Sequence, residues 1–174
     1  CYHFELCSKK PLKHSEIFVD AQSNKVVLEL NKIHTTDVPG TLTTQYNGTK
    51  TVTIDQVSGS QYRLQEAAKN ISTKNCNNST STFSAVDFTN TSANWSATTP
   101  INKAVFDLHY GLEKTYDYYN TKFSRNSYDG NGTQIQGIAH YDYNFDNAFW
   151  DGTYIVFGDG DGTSYNPFST TDIV

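Results

Sequence analysis

Apolar and polar residues alternate near the start of the chain in a way that is typical of β-strands. Residues 16–19 and 26–30 carry apolar side chains at alternate positions on either side of the polar stretch 20–25, which predicts a β-hairpin. Residues 2–6 are interpreted as a third short strand. Three strands without a helix bury little apolar surface, so this segment is expected to be half of a small α+β unit or to pack on the next part of the chain.

A polar stretch and a second strand-forming region come next. Residues 31–40 end in Pro-Gly and are predicted to be a boundary. After a tight turn at 46–49, alternation resumes at 51–54, and a further short strand is predicted at 62–64. Residues 70–99 are rich in Asn, Ser and Thr, which predicts a surface loop with brief strands at Phe83 and 86–88.

One long amphipathic helix is predicted at about 99–123. Thr99 can cap it and Pro100 fits its first position. Asp107, Glu113 and other charged residues are expected on its remaining faces. The apolar residues of its stripe, at spacings of three and four, are Ile101, Val105, Leu108, Leu112, Tyr116, Tyr119 and Phe123.

Two strands are predicted after the helix, at 135–143 and 154–157. Together with the preceding elements they indicate an α+β, β-dominated fold, in which one long helix packs on antiparallel sheets. The linking segments have the sequences NFDNAFWDG and GDGDG.

Charge and hydropathy exclude two classes of partner. The net charge is −5, from 13 basic and 18 acidic residues, and no basic cluster is longer than a pair, so nucleic acid is not an expected partner. No apolar run approaches the roughly 20 residues that a membrane helix needs, so no membrane span is predicted.

Cysteine and acidic motifs do not indicate a metal site by themselves. Cys1, Cys7 and Cys76 lack the spacing of a zinc knuckle, and their pairing stays open, with buried or incidental thiols as the simpler interpretation. GDGDG at 158–162 suggests an EF-hand, but Thr170 stands where the loop needs a glutamate, so a glycine-rich turn is predicted. No two of the five histidines are four residues apart.

Five short sequence segments occur in the same order as in the thermolysin-like zinc metalloendopeptidase family, which the chain therefore resembles. They are TYDYY (115–119), RNSYDG (125–130), HYDYNFDNAFWDG (140–152), VFGDGDG (156–162) and NPFSTTDIV (166–174). The resemblance covers about 36–174 and implies the fold of the N-terminal part of a zincin catalytic domain. Residues 1–34 resemble the end of the family's propeptide, which implies a domain at 1–34, another at 35–174 and a processing junction within 31–38.

The resemblance implies a secreted, zinc-dependent endopeptidase precursor that hydrolyses peptide bonds with a metal-activated water. In the family the word ending in DIV is followed by His-Glu-x-x-His, and this motif does not occur in the chain. Zinc ligands and catalytic residues are therefore expected beyond these residues, and the chain alone is expected to be inactive. The alternative is a non-catalytic binding, chaperone or inhibitor module derived from such a protease.

The resemblance also implies binding residues. Asn147 would offer its side-chain amide to a protein or peptide substrate, Ala148 its carbonyl, and Trp150 further main-chain contacts. The simpler interpretation is that Phe149 and Trp150 are core aromatics.

Two more binding residues and one metal ligand complete the expected set. Tyr165 and Phe168 correspond to the family's primed-side pockets. Asp172 corresponds to a ligand of a structural calcium ion, most of whose other ligands would lie outside this chain.

A chain with these boundaries is expected to leave part of the helical apolar stripe and the strand around Ile155 uncovered. The expected partners for this surface are the remaining half of the catalytic domain or, by self-association, a second copy.

Overall fold

The structure is a computed structural model that describes residues 1–9, 12–31 and 35–169. It divides into two compact units, Cys1–Thr35 and Thr36–Val174. The assignment of the first unit to a propeptide stays a prediction. In the described part of the chain, no helix combines the length and hydropathy needed to cross a membrane.

The first unit is a three-stranded antiparallel sheet of β1 (Tyr2–Lys9), β2 (Leu12–Val19) and β3 (Val26–Asn31), in that order. The turn between β2 and β3 begins at Asp20, whose carboxylate accepts from the N–H groups of Gln22 at 2.7 Å and Ser23 at 3.0 Å. These hydrogen bonds, that from Ser23 most, lower the pKa of Asp20. The three predicted strands are confirmed.

The second unit contains two sheets and one helix. Its helix is α1 (Pro100–Phe123). Its strands are β4 (Thr36–Thr43), β5 (Thr49–Ser58), β6 (Gln61–Arg63), β7 (Gln65–Glu66), β8 (Ile71–Asn75), β9 (Val86–Asp87), β10 (Thr89–Asn90), β11 (Asn94–Trp95), β12 (Ile135–Ala139), β13 (Ala148–Trp150) and β14 (Tyr154–Phe157).

The first sheet of this unit has five strands in the order β10-β6-β5-β4-β11. The division between the two units, after Thr35, falls within the boundary predicted at 31–40, but the second half of that stretch is a strand, because β4 begins at Thr36 and runs through Pro39. Pro39 lies opposite Thr53, whose N–H and carbonyl are bound by helix side chains instead of by β4. The proline therefore removes no hydrogen bond from the ladder.

The second sheet has six strands, in the order β13-β14-β12-β8-β7 with β9 on β8. Most pairs in the unit are antiparallel, but β12 runs parallel to both β8 and β14, and β11 runs parallel to β4. The sheets are therefore mixed, whereas the sequence predicts antiparallel sheets. The β-dominated α+β class with one long helix is confirmed.

The surface loop predicted at 70–99 is wrong at its start, because β8 is an interior strand. Ile71, Ser72 and Thr73 are all buried. Sequence hydropathy is misleading here because a buried polar side chain is stable when it is hydrogen-bonded, as Thr73 is to a helix histidine. Phe83 lies in a short 3-10 turn and is 93% exposed, so the strand predicted there is also wrong.

The predicted helix is confirmed, with the predicted cap. The Thr99 side chain accepts from the Asn102 N–H at 3.3 Å, Pro100 stands in the first turn, and Ser124 ends the helix in the left-handed conformation. Residues 104–109 and 111–113 are buried, and they pack on β12 so closely that a Cβ at Gly137 would lie 3.1 Å from Leu108.

Two helix carboxylates expected on solvent-facing sides are buried instead. The Asp107 carboxylate accepts from the Gln45 N–H and the Asn47 side-chain amide, both at 2.6 Å, and so holds the turn before β5. Glu113 accepts from the Thr53 N–H at 2.7 Å. A carboxyl side chain can be buried when its oxygens are hydrogen-bonded, and an apolar stripe does not reveal such partners.

His109 binds the same strand beside Glu113. Its Nε2 donates to the Thr53 carbonyl at 3.2 Å, and its Nδ1 lies 2.9 Å from the Thr73 hydroxyl. Burial lowers the pKa of His109 to about 4 and raises the pKa of Glu113 to about 7. The 3.8 Å approach of the two side chains is therefore not an ion pair at neutral pH, because the imidazole is neutral.

Candidate functional site

The strand β13 forms one edge of the six-stranded sheet. It pairs with β14 on one side, and no other described strand pairs with it. The Asn147 carbonyl accepts from the Gly158 N–H at 3.0 Å and the Asp151 N–H donates to the Tyr154 carbonyl at 3.1 Å. Hydrogen-bonded pairs alternate in an antiparallel ladder, so the intervening residues Ala148 and Trp150 direct their N–H and C=O groups toward the open edge.

The side chains along this strand have different surroundings. Asn147 is exposed, and its Oδ1 accepts from the Ala148 N–H at 2.8 Å. Phe149 packs edge-to-face on Tyr141 in a small core on the sheet face opposite α1, as the core-aromatic interpretation expects. Trp150 is 47% exposed and lies edge-to-face against Tyr128, so it is not a core aromatic.

The glycine loop, residues 158–162, follows β14 and forms a turn, as the sequence predicts. The Asp161 carboxylate accepts from the N–H groups of Thr163, Ser164 and Tyr165 at 2.7–2.9 Å. These bonds, that from Tyr165 most, lower the pKa of Asp161 to about 2. Asp161 is thus a turn-capping carboxylate.

Tyr165 and Phe168 lie in the segment after the glycine loop. Their rings stack with centroids 6.4 Å apart. Tyr165 is 54% exposed, whereas Phe168 packs against the main core, and the Phe168 N–H donates to the Gly158 carbonyl at 3.0 Å. Gly158, whose N–H donates to the Asn147 carbonyl, therefore also binds the segment that carries Tyr165 and Phe168.

A histidine–aspartate pair joins the residue after β12 to the glycine loop, and no sequence motif predicts it. Nδ1 of His140 lies 2.8 Å from both carboxylate oxygens of Asp159. His140 is buried and adopts a left-handed φ of 56° at the end of β12. The two residues are far apart in sequence, so only the glycines around Asp159 hinted at an unusual backbone.

An apolar groove of about 520 Å³ opens between the second half of α1 and the sheet. Its walls include Leu112, Tyr116, Tyr119, Tyr128, Trp150 and Ile155. The second half of the helix stripe and the half-buried Ile155 therefore line an open groove.

The described residues do not fit a zinc ion. Zinc in proteases needs three protein ligands that converge, and no three His, Cys, Asp or Glu side chains converge in this way within residues 1–9, 12–31 and 35–169. His109 uses both ring nitrogens for hydrogen bonds inside the core. Asp172, the expected calcium ligand, lies outside the described residues.

Comparison with known proteins identifies the family. The family model of the thermolysin metallopeptidase catalytic domain matches residues 39–174. The chain belongs to this family. The resemblance inferred from the sequence is thus confirmed, and thermolysin-family metallopeptidases are zinc-dependent.

The relatives include proteins named bacillolysin, neutral protease and extracellular elastase. A bacillolysin of Brevibacillus brevis is 38% identical over 158 residues, which cover 87% of this chain and 28% of that protein. A bacillolysin of Bacillus amyloliquefaciens is 35% identical over 158 residues, covering 88% and 30%. An extracellular elastase of Staphylococcus epidermidis is 32% identical over 180 residues, covering 99% and 35%. The chain spans about 30% of the length of the first two relatives.

A solved structure is also similar. The precursor of protealysin, a metalloproteinase from Serratia proteamaculans, is 33% identical to this chain with a TM-score of 0.47. The match covers 57% of this chain and 29% of that structure.

Proposed function

We propose that this chain is part of a secreted zinc-dependent endopeptidase precursor and that its own contribution is to align a peptide substrate along β13. Family membership supports the protease assignment, and the name of the staphylococcal relative supports secretion. The observation that carries the alignment role is the open edge of β13, toward which Ala148 and Trp150 direct their backbone groups.

An edge strand binds an extended peptide through main-chain hydrogen bonds, which do not depend on a particular side chain. The Ala148 N–H is bonded to the Asn147 side chain, so the groups left for a peptide are the Ala148 carbonyl and both backbone groups of Trp150. Because Oδ1 of Asn147 is an acceptor in that bond, its amide nitrogen is the atom that can donate to the peptide. Tyr165 and Phe168 offer apolar contacts to its side chains.

Zinc would supply the activated water, and calcium at Asp172 would be structural. Neither ion enters the proposed role of β13. We expect the chain alone not to hydrolyse peptides, since zinc-bound water requires two imidazoles one helical turn apart and the sequence contains no such pair.

The proposal is tested with the ¹⁵N-labelled chain and a capped, uncharged peptide, acetyl-Ala-Val-Ala-Val-Ala-amide. Binding should shift the Trp150 amide resonance, and mass spectrometry should find the peptide intact after incubation with zinc. Two N-methylated isomers, modified at alternate peptide nitrogens, are the controls. Only the isomer whose methyl group faces β13 should lose affinity, by about tenfold or more for each lost hydrogen bond to the edge.

A second function is a non-catalytic binding, chaperone or inhibitor module. It is favoured by the exposed apolar residues of the first unit, among them Tyr2, Phe4, Val27 and Leu28, each more than 45% exposed. Equal affinity for both N-methylated isomers, with resonance shifts in β1 and β3, would contradict edge pairing and support this function instead.

A further inference from the structure

We propose that His140 and Asp159 are a positioning pair, which holds the glycine loop in place and through it sets the peptide-binding edge and the Tyr165–Phe168 segment. This inference rests on the proposed function of β13. Neither residue touches the expected peptide. Their effect would be transmitted through backbone hydrogen bonds.

The pair joins the segment after β12 to the glycine loop through side chains, next to the backbone bond from the Tyr141 N–H to the Phe157 carbonyl at 3.1 Å. An ionised carboxylate only accepts, so Nδ1 of His140 carries the proton and donates to Asp159, at 2.8 Å from each oxygen. Such charge-assisted bonds are about twice as strong as neutral ones. Between Gly158 and Gly160, Asp159 is the only residue that has a side chain with which to anchor the loop.

His140 is itself held firmly. It follows β12, it is buried, and its carbonyl accepts from the Asn78 N–H at 2.8 Å. The edge of the Phe88 ring lies against its imidazole, with centroids 5.6 Å apart. The imidazole is therefore a fixed point from which the position of the loop can be set.

The glycine loop in turn binds both parts of the candidate site. The Gly158 N–H donates to the Asn147 carbonyl at 3.0 Å, and the Gly158 carbonyl accepts from the Phe168 N–H at 3.0 Å. The Gly160 N–H donates to the Phe145 carbonyl at 3.2 Å. The glycine loop thus fixes the start of β13 and the Tyr165–Phe168 segment relative to each other.

These contacts are too close to allow independent movement. A Cβ at Gly158 would lie 2.0 Å from the Phe145 carbonyl oxygen, and one at Gly160 would lie 2.4 Å from that of Tyr165. Only glycine permits such an approach, and Gly160 also has a left-handed φ of 71°. A displacement of Asp159 would therefore reach both neighbouring segments.

The first test needs no peptide. It measures how firmly the glycine loop is held, by amide hydrogen exchange in His140→Ala, His140→Asn and wild type. His140→Ala should accelerate exchange about tenfold at the amides of Gly158, Gly160 and Phe168, the range expected for losing a charge-assisted bond. The Thr73 amide, bonded to the Leu64 carbonyl in the same unit, should not change.

His140→Asn is the matched rescue variant. Its amide places a donor near the position of Nδ1, and asparagine tolerates the left-handed backbone. It should restore both slow exchange and peptide affinity, which His140→Ala should weaken about tenfold. Ile71→Val, a core change in β8, controls for a general loss of stability. It should alter neither property.

If His140→Ala fails to fold, Asp159→Asn takes its place. It should accelerate exchange at the same amides by only about threefold, because a neutral acceptor remains. Three outcomes would overturn the positioning role. The first is that His140→Ala or Asp159→Asn exchanges the amides of Gly158, Gly160 and Phe168 as slowly as wild type. The others are that His140→Asn fails to restore slow exchange, or that Ile71→Val accelerates exchange equally. If exchange responds as expected but wild type binds no peptide, the pair still positions the loop and the proposed function of β13 is the part that fails.

Discussion

The N-terminal part of α1, residues 100–113, and its C-terminal part, residues 114–123, are called its two halves here; they carry the same spacing of apolar residues but have opposite environments. In the first half, Val105, Leu108 and Leu112 are at most 2% exposed. In the second half, Tyr119 is 44% and Phe123 64% exposed, although both belong to the same predicted stripe. A helix therefore acquires its buried face from the sheet it packs on, and the pattern alone marks only which face is available.

The first half also buries polar residues that the pattern assigns elsewhere. Asp107, His109 and Glu113 are each bonded to backbone groups of the turn before β5 or of β5 itself. At Thr53, where β6 does not reach, Glu113 provides the acceptor and His109 the donor that a neighbouring strand would supply. Which residues of this helix are buried therefore depends on hydrophobicity and also on the backbone groups of β5 and its preceding turn that need hydrogen-bond partners.

The largest effect is expected from shortening a core side chain in the first half. Leu108→Ala should lower the free energy of unfolding by about 2–5 kcal/mol, because Leu108 is completely buried against β12. Urea unfolding followed by circular dichroism measures this. Tyr118→Ala, at a 55% exposed position of the second half, is the control and should cost about 1 kcal/mol or less. Equal losses would contradict the difference between the halves.

The next effect depends on pH and concerns Glu113. Folded Glu113 keeps its proton up to about pH 7, whereas an ordinary glutamate loses it near 4.5, so the folded state binds more protons in this window. Stability contributed by this group is therefore lost as pH rises through the window. In Glu113→Gln that loss is absent, so the stability of the variant minus that of wild type should rise by up to ~3 kcal/mol.

The difference between the two proteins is the quantity to measure, by urea unfolding from pH 4 to 8. His109, whose pKa is lowered to about 4 by burial, acts in the opposite direction, because its unfolded form binds more protons between about 4 and 6.5. Its contribution is common to both proteins and cancels. Glutamine keeps an oxygen that can accept from the Thr53 N–H. A difference that stays constant with pH would show that the pKa of Glu113 is the same in the folded and the unfolded protein.

The smallest effect on stability is expected in the second half. Tyr119→Gln combined with Phe123→Gln should change the free energy of unfolding by less than about 1 kcal/mol, because both side chains are exposed. Self-association of the wild-type chain is itself a prediction, and the same double variant should reduce it. Sedimentation velocity over a range of concentrations measures this. Phe83→Gln, 93% exposed and outside the groove, is the control that should leave association unchanged. A wild-type chain that remains monomeric throughout would contradict the prediction.

Local signals in the sequence were sufficient for several elements. Thr99 and Pro100 marked the start of α1 because capping depends on residues within one turn. The strands around residues 20–25 followed from alternation. The order of the words from TYDYY to NPFSTTDIV was enough for the family, which the match to residues 39–174 confirms.

Other features depended on contacts between distant residues. The strand β8 has little hydropathy signal, since its Ser72 and Thr73 become core residues only between β7 and β12. The pairing of His140 with Asp159 joins residues that no local motif connects. The roles proposed for Asn147, Ala148, Trp150, Tyr165 and Phe168 stay predictions, although the edge position of β13 supports the first three.

The sequence by itself therefore determined the family, the long helix with its N-terminal cap, and the order of most strands, because each of these depends on neighbours in the chain or on a preserved order of residues. Only the tertiary structure decided which polar residues are buried, which half of α1 is covered and which backbone groups of β13 face outward. These properties depend on where partners from other segments lie, and burial of a carboxyl group becomes less costly once Thr53 or the turn before β5 donates to it.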